Sequence, residues 1–239
     1  LVNHYGMQMW KQQMLDSKPD TLDPNVFYRV ETEGSATNYE MVWGMPTIHC
    51  FLSTVPAEIF NFYSGTIGFT RTVESNPPLR GEGLRAILSE KYYLWNHIIS
   101  SDGEYGKGMG TYGFTEIQRD TGETEELVNQ ARDRKHGFRY FENKNFIPMG
   151  FVFRQYIYES EFDKLDKNQT DRALVKALIL PDDTPKKYTE QMIHAGASDM
   201  TAITSDDEFD EECRNRAATS CTSFRTIHEK RISIKTDSG

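Results

Sequence analysis

Segments with strand periodicity and segments with helix periodicity follow one another in no regular order along this chain of 239 residues. Residues 26–33 alternate apolar and polar side chains, as a half-buried strand does. The residues after Pro56 instead place Ile59, Phe62 and Tyr63 at the spacing of a helix. The chain has no internal repeat, so this irregular mixture predicts an α+β fold with a mixed, mostly antiparallel sheet and several packed helices.

The composition is that of a water-soluble globular protein, with 37% apolar and 26% charged residues. No apolar run approaches the roughly 18 residues that a membrane-spanning helix needs. The net charge is −9 and the 27 lysine and arginine residues are scattered, which argues against nucleic acid as a partner. The chain opens with Leu1 rather than Met, and both ends read like cuts, so we expect a domain excised from a longer protein.

Along the chain, residues 1–25 are predicted to form a lead-in helix and a linker, and residues 26–239 to form the α+β domain. Residues 96–137 are turn-rich and charged, and helix and strand patterns are weakest in this part of the domain. The lead-in helix has three large apolar residues at helical spacing: Met7, Trp10 and Met14.

Four further segments carry a specific prediction. Residues 38–45 and residues 48–54 are strand-like, and residues 138–158 are predicted to form two strands joined by a turn at 142–145. Ser205 and Glu208 have the spacing of a capping box, which predicts that a helix begins there.

Residues 81–86, GEGLRA, satisfy the G-x-G-x-x-G/A fingerprint of dinucleotide-binding loops. Such a loop leaves a strand and turns directly into a helix, so that the pyrophosphate meets the N–H groups of the helix end. Here Pro77 and Pro78 precede the glycines, and proline cannot donate to the ladder of a central strand. We therefore interpret the segment as a turn into a short amphipathic helix that feeds a strand at 92–95, without a cofactor.

No local signature assigns a catalytic, cofactor-binding or metal-binding residue. The acidic run at residues 206–212 lacks the glycine of a calcium loop and is better explained as the start of a helix. The six histidines form no HxH or HExxH pattern, and no serine lies in a G-x-S-x-G elbow. A carboxylate pair for glycoside hydrolysis depends on spatial proximity, which the sequence does not show.

Aromatic residues are the candidates for carbohydrate contact, because a flat apolar ring can stack on the C–H groups of a sugar. The three that we single out are Trp43, Tyr63 and Trp95. Packing in the core is the alternative for each of them, and it is the favoured explanation for any single ring.

Among the three cysteines, the sequence leaves open whether Cys213 and Cys221 form a disulfide. Cys213 and Cys221 would lie roughly 12 Å apart on one continuous helix, which is too far for a disulfide. A bridge between them requires the helix to end near Thr219 and the chain to turn back. Cys50 lies between apolar residues and is interpreted as a buried thiol.

Several sequence segments, taken in their order along the chain, resemble the extracytoplasmic region of YfhO-like bacterial membrane proteins. The resemblance covers roughly residues 26–180 and is poor over 96–137. The segments are FYRVE, NYEMVWGMPTIHCFLS, IFNFYSGTIGFTR, NPPLRGEGLRAILSEKYYL, YFENKNFIPMGFVF and DRALVKALIL.

The resemblance implies a location and a role. YfhO-like proteins are polytopic and similar to GT-C glycosyltransferases, which use polyprenyl-phosphate sugars at the outer face of the membrane. The family is linked to the glycosylation of cell-wall polymers such as teichoic acids in Gram-positive bacteria. Residues 1–25 would then follow a membrane span, and the parent protein would be the enzyme.

The first hypothesis is therefore an extracytoplasmic domain that positions or recognises the acceptor without catalysing the reaction. Its partners would be the membrane-embedded remainder of the chain and a cell-wall polymer or lipid-linked sugar. The alternatives are a stand-alone module that binds cell-wall carbohydrate and a glycoside hydrolase that uses a carboxylate pair.

Overall fold

The fold consists of short strands and helices that follow one another irregularly. The computed structural model describes residues 15, 18, 22–23, 26–33, 38–68, 74–75, 77, 81–96, 111–117, 138–201, 203, 205–228 and 231–236. The strands are β1 (Arg29–Glu33), β2 (Cys50–Phe51), β3 (Glu74–Ser75), β4 (Glu90–Asn96), β5 (Phe114–Glu116), β6 (Phe138–Asn143), β7 (Gln155–Tyr158), β8 (Leu178–Leu180), β9 (Ile193–His194), β10 (Cys221–His228) and β11 (Arg231–Thr236). The α-helices are α1 (Tyr39–Trp43), α2 (Ala57–Asn61), α3 (Glu82–Ile87), α4 (Glu159–Phe162), α5 (Lys167–Ala173), α6 (Ala197–Thr201) and α7 (Asp206–Ala218).

Two sheets organise the described part of the chain. The larger sheet has the order β1-β4-β6-β5, in which β1 runs parallel to β4 and the other neighbours are antiparallel. The smaller sheet has the order β8-β7-β9, and all three strands are parallel. With the antiparallel ribbon β10–β11 and the packed helices, this arrangement is an α+β fold, as predicted.

The two faces of the larger sheet are covered differently, because side chains alternate along a strand. Val30 and Tyr92 lie opposite each other in the register and join an aromatic cluster on one face. Glu31 and Tyr93 form the next pair and point to the other face, where Arg85 of α3 contacts both of them. The register thus places an apolar layer on one side and a buried ionic contact on the other.

The second glycine of GEGLRA, Gly83, is explained by helix packing. A Cβ atom on Gly83 would lie 1.9 Å from the carbonyl oxygen of Asp171 in α5, so only glycine permits this approach of α3 to α5. Ala86 is fully buried in the core. The predicted turn, short helix and following strand are confirmed by α3 and β4.

Three further predictions have mixed outcomes. The strand predicted at residues 48–54 is confirmed only as the two-residue strand β2. The strand at residues 38–45 is wrong: this segment forms α1, since Tyr39 and Trp43 lie four residues apart and turn together into the core. The two strands predicted within residues 138–158 exist as β6 and β7. They do not form a hairpin, because β6 pairs with β4 and β5 while β7 belongs to the smaller sheet.

The capping box is confirmed at the start of α7. Glu208 N–H donates to Ser205 Oγ at 3.3 Å, and Ser205 N–H donates to Glu208 Oε2 at 3.1 Å. The lead-in helix with Met7, Trp10 and Met14 lies outside the described residues. Within the described part of the chain, no helix has the length and apolar character to span a membrane.

Candidate functional site

A cleft of about 500 Å³ lies where β4, β5 and β6 meet the turn that follows β6. Its size is within the range of sites that hold small organic ligands. The side chains that line it come from three separate stretches of the chain. They are Lys91, Thr115, Glu116, Ile117, Glu142, Asn143, Lys144 and Phe146.

The floor of the cleft is set by strand pairing. Glu142 lies opposite Tyr92 of β4 and opposite Thr115 of β5, so it is the middle member of a row across three strands. Beside it, Phe146 packs against the aromatic cluster that contains Tyr92. This places an apolar ring next to a carboxylate and a hydroxyl group.

Lys91 supplies a cation that is held in position at the cleft. Its Nζ atom donates to Asp23 Oδ2 at 2.7 Å and lies 3.7 Å from Glu142 Oε1. It also lies 5.5 Å from the ring centre of Phe146. Burial by itself would lower the pKa of Lys91, but the hydrogen bond to Asp23 and contacts with Tyr92 outweigh it and raise that pKa. The ammonium group therefore stays charged near neutral pH.

Lys144 supplies a second, more exposed cation. Its Nζ atom donates to Asp210 Oδ2 at 2.7 Å and to Tyr112 Oη at 2.8 Å. These two hydrogen bonds, with that to Asp210 the larger effect, raise the pKa of Lys144. The contacts tie the turn after β6 to α7 and fix one side of the cleft.

The turn itself depends on Asn143 and Gly113. Asn143 Nδ2 donates to the carbonyl of Glu90 at 3.1 Å, and its Oδ1 atom accepts the N–H of Asn145 at 3.0 Å. Gly113 has a φ of +91° and lies against both amide side chains. Its carbonyl accepts the N–H of Lys144 at 2.8 Å. The cleft is thus built on a rigid turn rather than on a loose loop.

The cleft presents hydrogen-bonding and apolar groups together, without an arrangement that indicates a specific reaction. Two ammonium groups and two carboxylates, from Glu116 and Glu142, surround a partly buried aromatic ring. Ammonium groups donate hydrogen bonds and carboxylates accept them, so both properties of a sugar hydroxyl are matched. Among the described residues, no group of three His, Cys, Asp or Glu side chains comes together in a geometry that could hold a metal ion.

A fully buried ionic cluster lies on the other side of β4. Arg85 Nη1 donates to Glu90 Oε2 at 2.6 Å and also to Glu31, and all three side chains are inaccessible to solvent or nearly so. Burial raises the pKa of Glu90, with Arg85 opposing and Glu31 adding to the shift. One guanidinium cannot neutralise two carboxylates, so the cluster favours one bound proton. Its burial gives it a structural role, since no ligand reaches it.

The N–H groups at the start of α3 already have an acceptor. Asp171 accepts the N–H of Gly83 at 2.8 Å and that of Leu84 at 3.1 Å. Burial raises the pKa of Asp171 to about 6, although these two hydrogen bonds lower it in part. A carboxylate therefore takes the place that a pyrophosphate would occupy in a dinucleotide-binding loop.

Two of the three aromatic residues singled out for carbohydrate contact, Trp43 and Tyr63, are not in the cleft. Trp43 is 2% exposed and Tyr63 is 6% exposed, and each belongs to a core cluster. The structure therefore assigns both rings to the core, where no sugar can stack on them. The side chain of Trp95 lies outside what the structure describes, so its role stays a prediction. Phe146, which was not singled out, is the aromatic residue of the cleft.

The three cysteines are free thiols in this structure. The helix α7 does end before Thr219 and the chain turns, as a bridge would require. Cys213 nevertheless stays in the core beside Phe209, while the thiol of Cys221 donates to the carbonyl of Met149. The disulfide left open by the spacing is therefore not formed. Cys50 is half-buried rather than fully buried.

No protein-family model, no curated protein and no solved structure matches this chain.

Proposed function

We propose that this domain recognises carbohydrate and positions it for a membrane-embedded, GT-C-like glycosyltransferase that forms the remainder of the same protein. The domain would lie at the outer face of the cell membrane of a Gram-positive bacterium. Its ligand would be a cell-wall polymer such as a teichoic acid, or a lipid-linked sugar. The ordered sequence segments that resemble YfhO-like proteins support the location and the parent enzyme.

The observation that carries the recognition role is the composition of the cleft. Lys91 and Lys144 are oriented by carboxylates, so they can donate to hydroxyl or phosphate oxygens without losing conformational freedom on binding. Glu142 and Thr115 can accept from hydroxyl groups in the same space. Phe146 offers the apolar contact that the C–H groups of a sugar ring need.

A glycoside hydrolase is the second candidate, and one observation favours it. Glu116 and Glu142 are both carboxylates and both line the cleft. Retaining and inverting glycosidases place two carboxyl groups about 5 to 9.5 Å apart around the scissile bond. The distinguishing result is turnover, because a recognition domain binds the sugar and releases it unchanged.

The proposal is tested by calorimetric titration of the 239-residue chain with purified, glycosylated teichoic acid fragments. We expect saturable binding and no release of sugar from the fragments. Phe146→Ala and Glu142→Gln should each weaken binding about tenfold, because each removes one contact in the cleft. Glu190→Gln is the matched control, since Glu190 is an exposed carboxylate that does not line the cleft.

Three results would contradict the proposal or the site assigned to it. Absence of binding by the wild-type chain would remove the recognition role, whereas release of sugar that Glu116→Gln abolishes would establish the hydrolase instead. Binding that neither cleft variant weakens would show that the ligand binds elsewhere.

A further inference from the structure

A second group of functional side chains lies at the carboxyl edge of the three-stranded parallel sheet. Tyr158 ends β7, His194 ends β9, and Asp182 follows β8 by two residues. Because the strands are parallel, these three positions meet at one edge. In open sheets of parallel strands, ligands bind outside this edge.

Three aromatic rings are packed together there. The ring centre of His194 lies 5.2 Å from that of Tyr156 and 5.4 Å from that of Tyr158, and the two tyrosine rings are 5.3 Å apart. Tyr156 is buried, whereas Tyr158 is half-buried and the His194 side chain is 42% exposed. The rings therefore form a partly exposed aromatic surface on a rigid base.

Two carboxylates flank these rings. Glu161 Oε2 is 2.6 Å from His194 Nε2 and accepts the N–H of Tyr158 at 3.4 Å. Asp182 accepts the N–H and the hydroxyl of Ser160, at the start of the same short helix α4. Among the described residues, no lysine or arginine forms an ion pair with Glu161 or Asp182.

The hydroxyl of Tyr158 lies within the field of both carboxylates. Its pKa is raised by a hydrogen bond with Tyr156, then by desolvation and by the charges of Glu161 and Asp182. Both carboxylates therefore act on one point beside the rings. The chain as a whole carries a net charge of −9, which adds to the attraction of a cation.

We propose that this aromatic-acidic edge, formed by Tyr156, Tyr158, His194, Glu161 and Asp182, binds an alkylammonium group of a ligand. The faces of aromatic rings attract cations through their quadrupole, and ring clusters that hold ammonium groups use this attraction. The carboxylates add charge attraction and can accept hydrogen bonds from a primary ammonium group. The edge is separate from the cleft, so this inference does not depend on carbohydrate recognition.

The test is a titration of the ¹⁵N-labelled chain with tetramethylammonium chloride and with methylammonium chloride, at constant ionic strength. We expect saturable shifts of the amide signals of Tyr158, Glu161 and His194 with at least one of the two salts. Sodium chloride at the same concentration should not produce them. Tighter binding of methylammonium would show that the carboxylates contribute most of the affinity. Tighter binding of tetramethylammonium would show that the aromatic rings contribute most of it.

Substitutions distinguish side chains that bind the ammonium group from side chains that only support the fold. Tyr158→Phe keeps the ring and should leave the affinity within about twofold, whereas Tyr158→Leu should reduce it about tenfold. Glu161→Gln should also weaken binding, while Glu159→Gln, which removes an exposed carboxylate of the same helix, should not. Thermal unfolding of each variant checks that the fold is retained.

Several results would overturn the proposal. One is the absence of saturable shifts with both ammonium salts. Equal effects of Glu159→Gln and Glu161→Gln would be another, because they would indicate attraction to net charge alone. If Tyr158→Leu fails to fold, equal affinity of Glu161→Gln and the wild-type chain would itself be decisive.

Discussion

At the scale of single residues, the fold depends on a few side chains whose surroundings permit little change. Gly83 allows two helices to touch, and Arg85 forms ion pairs with two carboxylates that β1 and β4 bring into the interior. Both residues belong to the six-residue stretch that also satisfies a nucleotide-binding fingerprint. The spacing of the glycines alone does not distinguish a helix contact from a nucleotide-binding loop. The residue that packs against Gly83 is Asp171, which lies far along the chain.

Replacement of Gly83 by alanine tests the helix contact. The new Cβ atom would overlap the backbone of Asp171, so the helices must separate, and we expect a loss of about 2–3 kcal/mol in the free energy of unfolding. Gly65→Ala is the control, because Gly65 is also helical and a Cβ atom there meets nothing within 4 Å. Denaturant unfolding of both variants gives the comparison. Equal stability of the two would contradict the close contact.

The buried cluster predicts a dependence of stability on pH. Burial raises the pKa of Glu90 to about 8 in the folded protein, above the value of an exposed glutamate. The folded state therefore holds the proton more tightly, so the contribution of Glu90 to stability is largest below about pH 4 and is lost as pH rises toward 8. Wild-type stability should fall over this range relative to that of Glu90→Gln.

This prediction is measured by denaturant unfolding of both chains between pH 5 and pH 8. Glutamine resembles the protonated carboxyl group, so Glu90→Gln should become at least as stable as the wild-type chain near pH 8. Parallel stability curves for the two chains would show that Glu90 does not take up a proton on folding.

At the scale of secondary-structure elements, sequence patterns predict the helices and strands whose formation depends on neighbouring residues. Periodicity and capping residues predict α3, β4 and the start of α7 from the sequence alone. The helix over Tyr39–Trp43 was missed because its aromatic content also suits a strand. The parallel sheet was missed as well, since β8 and β9 have three and two residues and their pairing with β7 is not local.

The helix α7, which is the longest among the described residues, is joined to the rest of the fold through Arg216. Its guanidinium donates to the carbonyls of Val175 at 3.0 Å and Lys176 at 2.8 Å, and also to that of Val152. Lysine cannot reach three carbonyls with a planar fork of donors. We therefore expect Arg216→Lys to lower the free energy of unfolding by about 2 kcal/mol, because buried and part-buried carbonyls lose a donor.

Arg214→Lys is the control for this prediction, because Arg214 lies on the exposed side of the same helix. Its stability should stay within about 0.5 kcal/mol of the wild-type value. The docking role of Arg216 would be contradicted if the two lysine variants unfold at the same denaturant concentration.

At the scale of the whole molecule, the cleft is a product of long-range assembly. Lys91, Thr115 and Phe146 come from three segments that only the four-stranded sheet brings together. Aromatic content did suggest a role in sugar binding, but burial rather than residue type decides which rings are available. The sequence therefore predicted the class of fold, whereas the position of the candidate site required the pairing of distant strands.

The most direct test of the central claim is chemical-shift mapping of the ¹⁵N-labelled chain during titration with a glycosylated teichoic acid fragment. The account predicts saturable shifts concentrated on the amides of Thr115, Glu142, Lys144 and Phe146, with the fragment recovered intact. Shifts that are absent, or that cluster away from these four residues, would contradict a carbohydrate-recognition cleft on this sheet.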